Sequence, residues 1–208
     1  MVWTNVNVEG PRRFEQVLPE PKKVADFYED IAVLAFPTPV DYRIENILAK
    51  AAFIRQEVPP QKLPEPIPAD KTIPRGSIQE LTAQMAKDGR LVWEVPPGKW
   101  TVVRFGHTPT GKDNHPAPLE GRGLECDKLS RKAADAMFEG LMGKLVSDSK
   151  PLAGKTLVAT HIDSWEVGSQ NWTPAFREEF RRLRGYDPLP FLTVMTGRVV
   201  DSLEISER

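Results

Sequence analysis

The sequence predicts an α/β protein in two parts: β-sandwich-like strands first, then a region of helices and parallel strands. Three observations lead there. Apolar residues recur with a period of two through much of residues 1–108, the spacing of half-buried strands. A proline-rich stretch, 59–74, divides those strands into two groups. Beyond His107 the order becomes helix, short apolar strand, polar loop and helix, the rhythm of a β/α unit.

Composition narrows the function. The 208 residues are 40% hydrophobic and 27% charged, enough to bury a core, so a disordered chain is excluded. Lys and Arg total 28 against 29 Asp and Glu, and a net charge of −1 is too weak a field to hold a nucleic-acid backbone. No apolar run approaches the roughly 18 residues of a membrane span. Cys126 stands alone, which leaves no internal disulfide and no cysteine-rich zinc site. The N-terminus lacks the basic and apolar regions of a signal peptide. Leu203 to Arg208 reads as a helix just starting, so the sequence is expected to be a piece of a longer protein.

The elements follow in order. Val2, Thr4, Val6 and Val8 alternate with Trp3, Asn5 and Asn7 up to an expected turn at Glu9-Gly10-Pro11. Phe14, Gln16 and Leu18 continue the alternation. Asp30 to Phe36 is a continuous apolar run closed by Pro37 and Pro39, as in a strand buried on both faces. Ile44 to Phe53 has the spacing of a short helix. Strands are predicted again at Ser77–Thr82, Leu91–Val95 and Trp100–Phe105, with turns at Asp88-Gly89 and Pro97-Gly98. His107 to Gly123 reads as a long loop. Asp127 is placed to cap a helix running to Val146, with Leu129, Ala133, Met137, Leu141 and Leu145 every four residues. Thr156 to His161 reads as a short buried strand. Thr173 as N-cap and Pro174 at the first position open a last helix, striped by Phe176, Phe180 and Leu183 and stopped by Gly185.

The chemistry concentrates between that strand and that helix. Asp163 and Glu166 are two carboxylates three residues apart, with Trp165, Asn171 and Trp172 beside them. In a β/α barrel such a junction is the C-terminal mouth, where active sites lie. Carboxylates serve acid–base work and hydroxyl binding, and indole faces pack on sugar rings. A carboxyl desolvated against tryptophan has its pKa raised, which suits a general acid. The same residues would also serve as a capped turn with core indoles. A second cluster, Glu125, Cys126, Asp127 and Lys128, again joins loop to helix; capping and ligand contact are both open to it. His107, Asn114 and His115 are further polar candidates. No zinc spacing or phosphate-binding glycine loop is present, and Cys126 has no base beside it.

Five segments in order resemble glycoside hydrolase family 106, the bacterial α-L-rhamnosidases. They are Phe27 to Pro37, Trp100 to Gly111, Gly123 to Leu129, Asp163-Ser164-Trp165-Glu166 through Trp172-Thr173, and Arg184-Gly185-Tyr186-Asp187-Pro188. The resemblance implies a TIM-like β/α-barrel catalytic region carrying an inserted β-sandwich, and inverting hydrolysis of terminal α-L-rhamnosides in plant-type polysaccharides. It also implies a calcium ion near the sugar, for which Glu125 and Asp127 are sensible oxygen ligands. Glu166 matches the general acid. Asp163, Trp165, Asn171, Trp172, Glu125, Asp127 and Lys128 fall in matching motifs as site-lining residues, with His107 as a further substrate contact. Residues 1–108 would be the sandwich and 109–208 a partial barrel, since a closed barrel takes about 250 residues. An inverting enzyme needs a second carboxylate about 6.5–9.5 Å from the acid, expected outside this sequence in the remainder of the parent polypeptide. The isolated piece is then expected to be inactive, and the parent to be periplasmic or secreted. The alternative from another class is a carbohydrate-binding module stacking sugars on Trp3, Trp93 and Trp100, although their strand positions favour core burial.

Overall fold

The structure, a computed structural model, describes residues 1–44, 47, 67–161 and 170–207. The chain forms two compact units, Met1–Pro109 with Arg177–Arg208, and Thr110–Phe176. Among the described residues no helix is long and apolar enough to cross a membrane.

The first unit is built on an antiparallel sheet of strands β1 (Val2–Val17), β2 (Glu29–Pro37), β4 (Gln79–Glu80) and β5 (Arg90–His107), in the order β1-β5-β2-β4. The apolar run behaves as its composition demands. Ala32, Val33, Leu34, Ala35 and Phe36 are all fully buried in an interior strand. One face packs Val8, Phe14, Leu18, Val33, Ala35, Leu91, Trp93 and Trp100 into the main core. The edge of Trp93 meets Trp100 at 5.4 Å between ring centroids.

The turns expected at Gly10-Pro11 and Pro97-Gly98 do not form. β1 and β5 each run straight through, paired from Val2↔Gly106 to Val17↔Arg90. The breakers sit opposite one another, so the missing proline N–H groups coincide in one bulge between Gly10↔Gly98 and Arg12↔Val95. Gly10 is required there, because a Cβ would lie 2.1 Å from the Pro96 carbonyl oxygen. The turn at Asp88-Gly89 does form, with Gly89 at φ +83°.

An ion pair with a buried guanidinium and a partly exposed carboxylate ties the strands at one end. Arg104 of β5 donates from Nε and Nη2 to the two oxygens of Asp30 at 2.7 and 2.9 Å, and from Nη1 to the Leu18 carbonyl at 2.9 Å. Tyr28 donates to Asp30 Oδ1 at 2.7 Å, and its ring lies under the guanidinium. Arg104 is 6% exposed. Burial alone would push the Asp30 carboxyl up, but the hydrogen bonds from Arg104 and Tyr28 outweigh it and hold the group below the usual carboxylate range. Burial and the same carboxylate push the Tyr28 hydroxyl up.

The C-terminal segment completes this unit. β3 (Thr72–Ile73) and β6 (Val199–Val200) pair in parallel beside a small core of Ile44, Val194, Val199, Val200 and Leu203. The strand predicted at Ser77–Thr82 is reduced to β4, because a 3-10 turn at Arg75–Ser77 takes the Ser77 N–H and hydroxyl back to the Pro74 carbonyl. Arg177 holds Asp187 through two bonds of 3.1 and 2.7 Å and reaches Glu80 at 3.3 Å. Arg177 keeps the Asp187 carboxyl below its ordinary range, and that carboxylate also accepts the Leu189 N–H.

In the second unit the predicted long helix is two: α1 (Arg131–Gly140) and α2 (Met142–Ser149). Leu141 breaks it at φ −132°, next to Gly140, which costs about 1 kcal/mol in a helix interior. The cap is Ser130, whose hydroxyl accepts the Ala133 N–H, and Asp127 is freed for other bonds. The strand expected at Thr156–His161 is absent, and Val158 is 72% exposed. Its first backbone donors are spent locally instead, with Thr156 and Leu157 both bonding to the Leu152 carbonyl. Helix α3 begins at Phe176, past the expected start, and ends before Gly185 at φ +78° as predicted. A short α4 covers Leu203–Glu207. Most of the proline-rich stretch and of the helix expected from Ile44 lies outside the described residues.

Two outcomes follow from the sheet. Arg104→Met leaves a partly exposed carboxylate without its cation and removes three hydrogen bonds from a buried guanidinium, and should cost about 1–2 kcal/mol in urea unfolding at pH 7. Asp30 is held low when folded, so its contribution is complete above the unfolded value near pH ~3.9 and is lost as pH falls through the folded one. The gap between variant and wild type should therefore shrink toward pH 2; a constant gap would sink the ion-pair account. Gly10→Ala should lower the melting temperature more than Gly76→Ala, because at Gly76 a Cβ meets nothing within 4 Å.

Candidate functional site

The second unit brings two of the predicted motif segments together. The first, residues 125–130, carries Glu125, Asp127 and Lys128; the second, residues 170–173, carries Asn171 and Trp172. The side-chain amide of Gln170 bridges them, accepting the Lys128 N–H at 2.6 Å and donating to the Cys126 carbonyl at 2.6 Å. A second tie runs alongside. Thr173 Oγ1 donates to Asp127 Oδ2 at 2.9 Å, while Asp127 Oδ1 accepts the Leu129 N–H at 3.0 Å.

The charges in this region are matched. Lys128 Nζ and Glu125 Oε1 form an ion pair, both side chains largely but not wholly covered. A carboxylate and an ammonium at a partly open surface are the donors and acceptors that sugar hydroxyls use. Trp172 packs on Phe176 with ring centroids 5.1 Å apart and an interplanar angle of 40°. Its remaining exposure leaves indole surface available. Burial is the main cause that raises the Cys126 thiol above its ordinary value, which keeps it protonated and unsuited to nucleophilic work.

The remaining candidates are placed as follows. Asp163, Trp165 and Glu166 lie outside the described residues. His107 belongs to the first unit, at the end of β5, with Nε2 3.5 Å from Glu29 Oε2 and its ring against the edge of Phe27. Asn114 closes its loop, accepting the Gly123 N–H at 2.9 Å and donating to the Gly121 carbonyl. Trp93 and Trp100 are buried in the sheet core, which removes two of the three faces a binding module would have stacked sugars on. Among the described residues no three His, Cys, Asp or Glu side chains gather as a metal site. Glu125 is engaged by Lys128, and both Asp127 oxygens accept hydrogen bonds, so these two do not make up a calcium site by themselves.

Gln170 and the Asp127–Thr173 bond are the contacts that sequence reasoning missed. A lone glutamine in a polar loop carries no spacing signature, and Thr173 reads as a helix cap from its position before Pro174.

Comparison with known proteins bears on the whole chain. The family model Glyco_hydro_106, described as alpha-L-rhamnosidase, matches residues 35–208. A Formosa agariphila protein whose curated name is "Putative beta-glucuronidase" is 42% identical over the full chain, which spans 18% of that relative's length. The structure of a rhamnosidase from Novosphingobium sp. PP1Y superposes with a TM-score of 0.79 at 21% identity, covering all of this chain and 33% of its own. That likeness speaks for the fold.

A double-mutant cycle tests the tie beside the amide bridge. Asp127→Ala and Thr173→Val should each cost about 1 kcal/mol in thermal unfolding, and together less than their sum by a similar amount. Full additivity would mean that the two side chains do not interact.

Proposed function

The chain belongs to glycoside hydrolase family 106, and from that premise we propose that its parent polypeptide hydrolyses terminal α-L-rhamnosides with inversion of configuration. The observation that carries the reading is the family match over residues 35–208, which includes every polar candidate of the second unit. Glu166 is the proposed general acid, giving its proton to the glycosidic oxygen as the bond to the leaving group breaks. A carboxylate outside these 208 residues takes a proton from the attacking water on the opposite face of the sugar. Trp165 and Trp172 offer ring faces to the sugar, and Asp163, Asn171, Glu125 and Lys128 offer hydrogen bonds to its hydroxyls. Asp127 serves through Thr173. In this reading the chain is a partial TIM-like barrel with an inserted β-sandwich, and alone it turns over no substrate because the base is missing.

The 42% identical relative favours a second reading, in which the sugar is a uronic acid. Rhamnose presents a methyl group where a glucuronic acid carries a carboxylate, so the two demand different pockets.

One experiment addresses both. Wild type and Glu166→Gln, in the complete polypeptide, are assayed on an aryl α-L-rhamnoside, a rhamnose disaccharide and an aryl β-D-glucuronide. The variant should lose about 10²–10⁴-fold on the disaccharide, whose leaving group needs a proton, and much less on the aryl rhamnoside. Equal losses on both would remove Glu166 from the acid role. Turnover of the glucuronide alone would replace the rhamnoside reading with the second.

A further inference from the structure

Gln170, half-buried in a loop, makes two bonds with one side chain. A single amide accepts from the Lys128 N–H and donates to the Cys126 carbonyl, both at 2.6 Å, across 42 and 44 residues of sequence. The polarity of that bridge is fixed: only an oxygen can face the N–H, and only an NH₂ can face the carbonyl. Both partners are backbone, so the bridge sets the path of residues 126–128 rather than the rotamer of one side chain. Three residues on, Thr173 repeats the attachment through Asp127. Asn171 and Trp172 lie between the two attachments, and Glu125 and Lys128 flank the segment they attach to.

Among the described residues of this unit Thr173 is the only buried one, so these directional hydrogen bonds weigh more than apolar packing in setting that register.

We propose that Gln170 is a positioning residue, a clamp that registers the Asn171–Trp172 segment on the Glu125–Lys128 segment, so that the polar groups and the indole face of both meet one sugar together. This rests on the proposed substrate-binding roles of Glu125, Lys128, Asn171 and Trp172. Holding a substrate in reactive geometry by several aimed groups is sensitive to small displacements of the segments that carry them.

The test uses the complete polypeptide with Gln170→Met, which keeps the length and loses both bonds, and Gln170→Glu, which keeps the acceptor but sets a carboxylate against the Cys126 carbonyl. Amide exchange at Lys128 should quicken about tenfold or more in Gln170→Met while strands β1, β2 and β5 stay unchanged. Turnover of the rhamnose disaccharide should fall roughly 30-fold, the equivalent of two ordinary hydrogen bonds. Gln170→Glu should regain activity relative to wild type as pH falls, because a protonated carboxyl can again donate to the carbonyl while accepting from Lys128. A role in mere packing would show no such pH-dependent rescue. Unchanged exchange at Lys128 would overturn the clamp, and faster exchange with undiminished turnover would overturn its positioning role. A wild type inactive on both rhamnosides would count against the function reading, while the exchange measurement would still judge the clamp.

Discussion

A guanidinium inside a sheet has to bring its counter-charge with it, and much of the first unit is organised around that requirement. Arg104 sits in β5 where the flanking residues are fully buried. The carboxylate comes from Asp30 at the start of β2, where a bulge at Ile31 changes the register between Asp30↔Gly106 and Ala32↔Phe105. Leu18, at the end of β1, supplies the carbonyl for the remaining donor. Two glycines make room: a Cβ at Gly106 would fall 2.3 Å from the Tyr28 ring, and one at Gly89 would fall 2.8 Å from Arg104. Positions scattered from 18 to 106 are thus constrained by one pair of charges.

Local pattern reports some of this and hides the rest. Ile31 to Phe36 declares its own burial, because six apolar residues closed by a proline fit an interior strand. Gly185 and the Asp88-Gly89 turn are equally plain, since each needs only its own backbone to be explained. The breakers of β1 and β5 mislead because their meaning is set by a partner strand. Gly10-Pro11 alone is a turn, and Gly10-Pro11 opposite Pro96-Pro97-Gly98 is a bulge. Thr156 to His161 has the composition of a buried strand, yet Gly154 folds its donors back onto Leu152 before a ladder can form.

For the candidate site, residue types were legible and their assembly was not. Glu125, Lys128, Asn171 and Trp172 stand out by chemistry and by position at loop–helix junctions. Nothing in their spacing says that Gln170 joins the two segments or that Asp127 turns toward Thr173. Such contacts depend on the distance between loops more than forty residues apart. The motif order that resembles family 106 supplied what periodicity could not, a reason to read those loops as one place.

Pro11 has a second effect, beyond the bend it shares with Pro96 and Pro97. Among the described residues β1 is an outermost strand of its sheet, sixteen residues long, and a long bare edge is a template on which a stray chain can add a strand. Here a proline breaks the row of donors near its middle, and Arg12, Arg13 and Glu15 follow at once as exposed charges. The irregularity that makes β1 fit its neighbour thereby makes its outer side a poor seed for aggregation.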